Sequence, residues 1–122
     1  MSNTELVKVV LNQILASSVL IQKRFKSIQS PDDFLKNDRK LEKLDGLCMQ
    51  LIAIGESIKN LDKITNRALL KKYPDFEWKK AMGVRDIISH HYFDLNSEIV
   101  FQVCNDEIPK LNKTIKKIIK EF

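Results

Sequence analysis

Apolar residues recur every three or four positions along most of this chain, and this spacing constrains the fold more than any other feature of the sequence. Such spacing gives an α-helix one apolar face. No stretch alternates apolar and polar residues as a half-buried strand would. The pattern therefore predicts an all-α protein. The first predicted helix reaches about residue 28, and its apolar face comprises Leu6, Val7, Val10, Leu11, Ile14, Ser18, Ile21, Phe25 and Ile28.

A second helix is predicted to begin within the segment "SPDDF", where Ser30 can serve as N-cap, Pro31 fits the first helical position and the acidic residues fit the first turn. Its apolar stripe runs from Leu41 to Leu61 and includes Gly55. Glycine inside a helix costs about 1 kcal/mol relative to alanine. We therefore expect another helix to cross closely at Gly55.

Two further prolines mark helix boundaries. Pro74 should end a short helical piece, "ITNRALLKKY", because the residue before a proline is disfavoured in the α region. The next helix is predicted to begin with Asp75 as its cap and to run through "FEWKKAMGVRDIISHH". A last helix starts near Ser97, and Pro109 predicts a kink or break in it, with Asp106 capping the part that follows.

The length of 122 residues suits a single domain spanning residues 1–122. Apolar residues make up 43% and charged residues 30% of the chain, which contains three glycines and three prolines. This composition is typical of a folded helical protein and argues against disorder. Together with the periodicity it predicts an antiparallel helical bundle of four to five helices.

The net charge of +5 suits an acidic partner such as RNA, but many proteins that bind no nucleic acid carry a similar charge. Cys48 and Cys104 lie far apart in apolar segments and lack C-x-x-C spacing. We interpret them as reduced, small hydrophobic residues rather than as a disulfide or metal ligands. No metal site or cofactor is expected.

The apolar N-terminal segment could be mistaken for a secretory signal. It lacks a basic leading region, and Glu5, Lys8 and Asn12 interrupt it at helical intervals. It also contains no uninterrupted apolar run of the length that a membrane span requires. The sequence therefore predicts a cytoplasmic protein.

Both histidines of the chain lie in "AMGVRDIISHHYFDL", residues 81–95. Asp86 and His90 are four residues apart, so they share a helix face, where the carboxylate can orient the imidazole for acid–base chemistry. Arg85 lies about 140° around the helix from His90. The two can converge through the reach of arginine, a distorted helix end, or a second subunit.

A guanidinium that binds phosphate and an imidazole that accepts a proton from a ribose 2′-hydroxyl would suffice for RNA cleavage without a metal. The nucleophile would come from the substrate. The alternative is a polar helix end, because the helix dipole favours histidine near a C-terminus. The spacing of the residues alone does not decide between these interpretations.

Several segments, taken in order, resemble the HepT-like branch of the HEPN superfamily. They are "LIAIGESIKNL", "KKYPDFEW", "MGVRDIISHHYFDLNSEIVF" and "DEIPKL", and the likeness covers about residues 41 to 112. Within them, Arg85, His90 and Tyr92 form the R-x4-H-x-Y core of that family. The pattern R-x4-H alone would be weak, but these surroundings make it specific.

The resemblance implies a HEPN-like helical bundle that acts as a homodimeric endoribonuclease toxin. Its implied partner is a minimal nucleotidyltransferase antitoxin, which silences the toxin by attaching AMP to the motif tyrosine. By position, Arg85 would stabilise the phosphate, His90 would be the acid–base residue and Tyr92 would accept AMP. Asp86 fills the polar position after the arginine and would orient His90.

Other residues receive more modest interpretations. Glu56 is expected to act as a capping group or to pair with a basic residue, with Arg85 across the bundle as one choice. Trp78 is expected in the core. Lys79 and Lys80, with Lys71 and Lys72 before them, are candidates for guiding RNA. The lysines of the last helix are interpreted first as a solvated face; they are Lys110, Lys113, Lys117 and Lys120.

Two other hypotheses remain open on the sequence. A non-catalytic HEPN module could use the cleft at Arg85 and His90 to bind a nucleotide, RNA or a protein. A structural subunit could instead oligomerise through its amphipathic faces. The toxicity of the wild-type chain compared with His90→Ala would separate the first from a nuclease.

Overall fold

The computed structural model describes residues 2–90 and 97–122, except for the side chains of Ser89 and His90. These residues form helices and contain no β-strand, which confirms the all-α helical bundle. Turns of 3-10 helix precede α2 and α3, and a π-helical turn, Val103–Glu107, joins α5 to α6. The α-helices are α1 (Asn3–Phe25), α2 (Asp38–Ile64), α3 (Trp78–Met82), α4 (Val84–His90), α5 (Ser97–Gln102) and α6 (Ile108–Glu121).

Helices α1, α2 and α6 build the centre of the core, because each buries the apolar face that its sequence pattern predicts. α1 packs against both α2 and α6. A polar pair also lies inside this contact: the Asn112 amide donates a hydrogen bond of 3.0 Å to the buried hydroxyl of Ser18. The most buried side chains include Val7, Leu11, Ile14, Ile21, Leu47, Leu51, Ile58, Leu61, Leu111, Ile115 and Ile118.

Helix α1 is more apolar than expected from the sequence, which suggested that no segment resembles a membrane span. Its 23 residues have a mean hydropathy of 1.5 over an 18-residue window, so by length and composition it could cross a membrane. A core helix of a globular protein passes the same test. Here the buried positions of α1, among them Val10 and Ile14, face the other helices of the bundle.

Ser30 and Pro31, which were predicted to start the second helix, instead start a 3-10 turn, Pro31–Leu35, that precedes α2. Asp33 stabilises this turn: its carboxylate accepts hydrogen bonds from the backbone N–H groups of Gln29, at 2.7 Å, and Ser30, at 3.3 Å. Helix α2 begins at Asp38 and is capped separately by the side chain of Asn37, which accepts a hydrogen bond from the Lys40 N–H.

Asp33 should make the stability of the fold depend on pH at acid values. Its ion pair with Lys36 and the Gln29 N–H bond lower the pKa of its carboxyl to about 2, below the value of about 3.9 in unfolded chains. Its contribution is therefore present above about pH 4 and is lost as the pH falls through about 2. In urea unfolding between pH 5 and 2, the stability difference between wild type and Asp33→Asn should shrink as the pH falls. Asp32→Asn, at an exposed neighbouring position, is the control; a difference for Asp33→Asn that does not change with pH would contradict this assignment.

The predicted close helix crossing at Gly55 is confirmed. A Cβ atom placed on Gly55 would lie 3.0 Å from the backbone oxygen of Ala81 and 3.4 Å from Cγ1 of Val84. α2 therefore meets the junction of α3 and α4 at this glycine, with almost no space between the backbones.

The prediction that one helix begins at Asp75 and continues to the histidines is wrong. Helix α3 begins only at Trp78, and Gly83 separates it from α4. The indole of Trp78 is buried against Phe76, and its Nε1 donates to the Tyr73 carbonyl at 2.9 Å. These contacts hold residues 73–77 in a turn, and they confirm that Trp78 is a core residue.

The α-helical pattern is interrupted just before Pro109, which lies in the first turn of α6 as predicted; a π-helical turn, rather than a capped restart, makes the interruption. This turn places the Ile108 N–H on the Val103 carbonyl, five residues back. Val100, Cys104 and Ile108 are all buried at four-residue spacing, which would drift by about 80° over a regular α-helix. The wider turn absorbs this drift. Asp106 does not cap α6, whose N-cap residue is Glu107.

Both cysteines are free and buried, as the sequence indicated. Burial raises the pKa of the Cys48 thiol to about 11 and that of Cys104 to about 12. A thiol with so high a pKa carries almost no thiolate near neutral pH, and thiolate is the reactive form. The two residues therefore behave as small apolar side chains.

Candidate active site

Arg85 lies on the outer surface of α4 and reaches across to α2. Its Nη1 donates to Oε1 of Glu56 at 2.9 Å, which confirms the pairing considered from the sequence. Both side chains are about half exposed, 53% for Arg85 and 44% for Glu56. The same Glu56 oxygen lies 3.9 Å from Nζ of Lys59. One carboxylate thus fixes the arginine in a position that solvent, and hence a ligand, can reach.

The local sequence explains why α4 presents Arg85 in this way. Val84 and Ile88 are buried, and they anchor one face of the short helix in the core. Arg85 and Asp86, between them, are exposed. Since Gly55 precedes Glu56 on α2, the absence of a side chain there lets α4 approach and brings the carboxylate within reach of the guanidinium.

Asp86 lies in the first turn of α4, where the helix dipole favours a negative charge. Its backbone N–H donates to the Gly83 carbonyl at 3.1 Å. Helix α4 extends to His90, so the backbones of Asp86 and His90 lie about one turn apart in a single helix. The His90 side chain is outside the described residues, and contact between the imidazole and Asp86 remains a prediction. Tyr92 also lies outside them, within 91–96.

An apolar groove of about 110 Å³ adjoins this surface, between α4 and the helix formed by α5 and α6. Two of its lining residues are large, apolar and substantially exposed: Ile87 at 42% and Ile99 at 40%. Ile87 follows Asp86 directly on α4. The surface that carries Arg85 therefore also carries apolar area available to another molecule.

Lys79 and Lys80 are exposed on α3, and both line a wide groove with Lys71 and Arg67. Lys80 is partly balanced by carboxylates, since its Nζ lies 3.9 Å from oxygens of Glu77 and Glu107. Arg67 was not among the residues predicted to line such a site. Its backbone is in the left-handed region, with φ of 61°, and its N–H donates to the Asp62 carbonyl at the end of α2. The only sequence signal was the preceding Asn66, a residue type that tolerates this conformation.

Comparison with curated proteins finds relatives named as ribonucleases. The chain is 38% identical over 91 residues to "Putative RNase MJ0127" of Methanocaldococcus jannaschii, covering 75% of this chain and 69% of that protein. It is 34% identical over 111 residues to "Putative RNase TTE0752" of Caldanaerobacter subterraneus subsp. tengcongensis, covering 91% and 92% of the two chains.

A third relative is longer. "Gamma-glutamylcyclotransferase and putative RNase MJ0434", also of Methanocaldococcus jannaschii, is 35% identical over 116 residues; the match covers 95% of this chain but 49% of that protein. The chain thus spans about half the length of this relative. No solved structure matches the chain significantly.

The family comparison agrees with these relatives and with the fold. The model described as "Ribonuclease HepT-like" matches residues 14–118, from the middle of α1 almost to the end of α6. The match therefore includes the Gly55 crossing, the Arg85–Glu56 pair and all of α4. This chain belongs to the HepT-like ribonuclease family of the HEPN superfamily.

Proposed function

We propose that this protein is a metal-independent endoribonuclease and the toxin of a toxin–antitoxin pair. The observation that carries the proposal is the Arg85–Glu56 pair: it fixes a half-exposed guanidinium on the same short helix that contains His90. Membership of a ribonuclease family supports RNA as the substrate.

In the proposed reaction, the neutral imidazole of His90 takes the proton of a ribose 2′-hydroxyl, and the 2′-oxygen attacks the adjacent phosphorus. Arg85 stabilises the additional negative charge of the phosphorane-like transition state. The bond from phosphorus to the 5′-oxygen then breaks, and that oxygen is protonated by an imidazolium. Asp86 orients His90. The products carry 2′,3′-cyclic phosphate or, after hydrolysis, 3′-phosphate ends.

The proposed active form is a homodimer. Arg85 and His90 lie five residues apart on α4, so their directions from the helix axis diverge by about 140°. A second copy could supply the missing half of the site by facing the first across α4. The exposed apolar side chains of Ile87 and Ile99 support such a contact, because isolated apolar area beside a polar site often marks an interface.

The proposed control is exerted by a minimal nucleotidyltransferase antitoxin that transfers AMP to Tyr92, both proteins acting in the cytoplasm. Tyr92 is two residues from His90 in the sequence. A nucleotide attached there would add bulk and a negative phosphate beside the proposed site, and both would oppose RNA binding. This proposal rests on the family resemblance and on the position of Tyr92 in the motif.

Incubation of the purified chain with total RNA in EDTA tests the nuclease. Intact mass should first show that Tyr92 is unmodified. We expect cleavage that leaves cyclic phosphate ends in the wild type and that falls by about 10²–10⁴-fold in His90→Ala, the usual range for loss of an acid–base group. Cleavage that requires added divalent metal, or that leaves 3′-hydroxyl ends, would contradict the mechanism. A folded, unmodified dimer without activity would favour the non-catalytic binding module.

A further inference from the structure

We infer that a continuous basic surface, running from the C-terminal end of α2 over the Pro74 turn to α6, binds the phosphate backbone of single-stranded RNA. We call this surface the basic track; it consists of three adjoining grooves. The inference rests on the proposed function in taking RNA as the ligand. It adds a binding surface that the R-x4-H motif does not include.

The central groove has a volume of about 900 Å³ and lies between the end of α2 and helix α3. Four basic side chains line it: Arg67, Lys71, Lys79 and Lys80. It extends to Met82, three residues before Arg85. This groove is therefore large and basic, and it ends close to the proposed site.

The second groove, of about 480 Å³, lies on the other side of the Pro74 turn and shares Pro74 and Phe76 with the first. Its basic residues come from two distant parts of the sequence: Lys72 on one side, and Lys110, Lys113 and Lys117 of α6 on the other. The lysines of α6 were interpreted from the sequence as a solvated face. Their convergence with Lys72 favours a binding surface instead.

The third groove, of about 440 Å³, shares Asp62 and Arg67 with the central one and adds Lys59 and Lys63. Lys59 lies 3.9 Å from the same Glu56 oxygen that holds Arg85. The basic track is thereby connected to the candidate site from α2 as well as from α3. RNA lying in it would pass beside the Arg85 guanidinium.

The charge balance of the basic track separates it from the surface in general. Ten lysine and arginine side chains line the three grooves, against three acidic ones: Asp62, Asp75 and Glu77. The whole chain has 21 basic and 16 acidic residues. The excess positive charge of the protein is therefore concentrated on this surface, which is the electrostatic arrangement expected of a nucleic-acid-binding face.

The aromatic residues of the track favour contact with phosphates over base recognition. Phe76 and Trp78 are buried, each 8% exposed, and cannot stack on a base. The Tyr73 hydroxyl donates to Glu121 at 2.8 Å, and Lys117 Nζ lies 5.8 Å from the centre of its ring. Binding should accordingly be almost independent of base sequence and strongly weakened by salt.

Fluorescence anisotropy with a 2′-O-methyl single-stranded RNA measures binding without cleavage, because the methyl group blocks the nucleophile. We compare the folded full chain with the triple variant Lys71→Gln/Lys79→Gln/Lys113→Gln. The matched control, Lys8→Gln/Lys23→Gln/Lys26→Gln, removes the same charge from exposed lysines outside the track. The track variant should bind about tenfold more weakly or worse. Its plot of log affinity against log salt concentration should have a slope that is smaller in magnitude by about 2, because each of the three lost phosphate contacts accounts for about 0.7. The control should retain most of its affinity and its slope.

Equal loss of affinity in the two triple variants would overturn the inference, because net charge alone would then explain it. Polyglutamate serves as a probe for binding to an acidic protein. If the track variant binds RNA unchanged but no longer binds polyglutamate, the surface binds an acidic protein and the inference that it binds RNA is overturned. Cleavage of ordinary RNA is measured separately. If the wild type does not cleave but the track variant still loses RNA binding, the proposed nuclease function fails and the basic track stands.

Discussion

Replacing Arg85 with alanine is expected to slow RNA cleavage by about 10²–10³-fold, the usual cost of removing one group that stabilises a developing oxyanion. The fold should survive, because the Arg85–Glu56 pair is about half exposed and such pairs contribute about 0–1 kcal/mol. Single-turnover cleavage and urea unfolding measure the two effects separately. Arg85→Lys should recover only part of the rate, since lysine keeps the charge but cannot bind a phosphate with two parallel N–H groups.

Mixing two inactive variants tests whether the site is shared between subunits. Arg85→Ala and His90→Ala should each be inactive alone. If each site takes its arginine from one subunit and its histidine from the other, every mixed dimer contains one complete site. With full subunit exchange, about a quarter of the wild-type rate should return.

The control for this experiment is a mixture that cannot complement, such as Arg85→Ala with an Arg85→Ala/His90→Ala double variant. If the mixture of Arg85→Ala and His90→Ala recovers no activity although mass spectrometry shows mixed dimers, both residues of each site lie in one subunit. The shared site would then be wrong, although the nuclease could still be right.

The second large effect concerns stability. Gly55→Val is expected to lower the free energy of unfolding by about 2–3 kcal/mol, the cost of inserting methyl groups into a contact with no room for them. The nearest atom to the new Cβ, at 3.0 Å, is the backbone oxygen of Ala81. A backbone atom cannot turn aside as a side chain can, so α3 and α4 would have to move.

Gly46→Val is the matched control on the same helix. Among the described residues, a Cβ at Gly46 would meet only Nη1 of Arg24, at 3.9 Å. Both variants change glycine to valine in α2, so the difference between them isolates packing from helix propensity, which favours valine by a few tenths of a kcal/mol. Thermal or urea unfolding gives the comparison. If both variants are equally stable, the close crossing at Gly55 has little energetic importance.

The predictions that succeeded rested on patterns that depend on one element at a time. Helical periodicity gave the apolar faces of α1 and α2, and an unfavoured glycine inside a helix indicated the close approach of another. The pairing of Glu56 with Arg85 is an exception: it joins two helices, and it was only one of the options that the sequence left open for Glu56.

The predictions that failed depended on contacts between distant residues. The helix predicted from Asp75 starts three residues later because the Trp78 indole binds the Tyr73 carbonyl, a contact that local propensity does not contain. Asp106 was expected to cap a new helix, but the buried positions before Pro109 lead the chain into α6 through a π-helical turn instead. The groove formed by Lys72 with the lysines of α6 requires the tertiary fold itself.

The bond between Glu56 and Arg85 has a consequence for turnover. In the free protein one N–H group of the guanidinium already bonds a carboxylate, so a phosphate must either displace Glu56 or bind through the remaining N–H groups beside it. Under the proposed mechanism, this competition weakens the binding of substrate and product alike. A penalty that falls equally on the bound substrate and the transition state raises KM without lowering kcat. The carboxylate would return to the arginine each time a cleaved strand departs, which favours release and prepares the site for the next RNA.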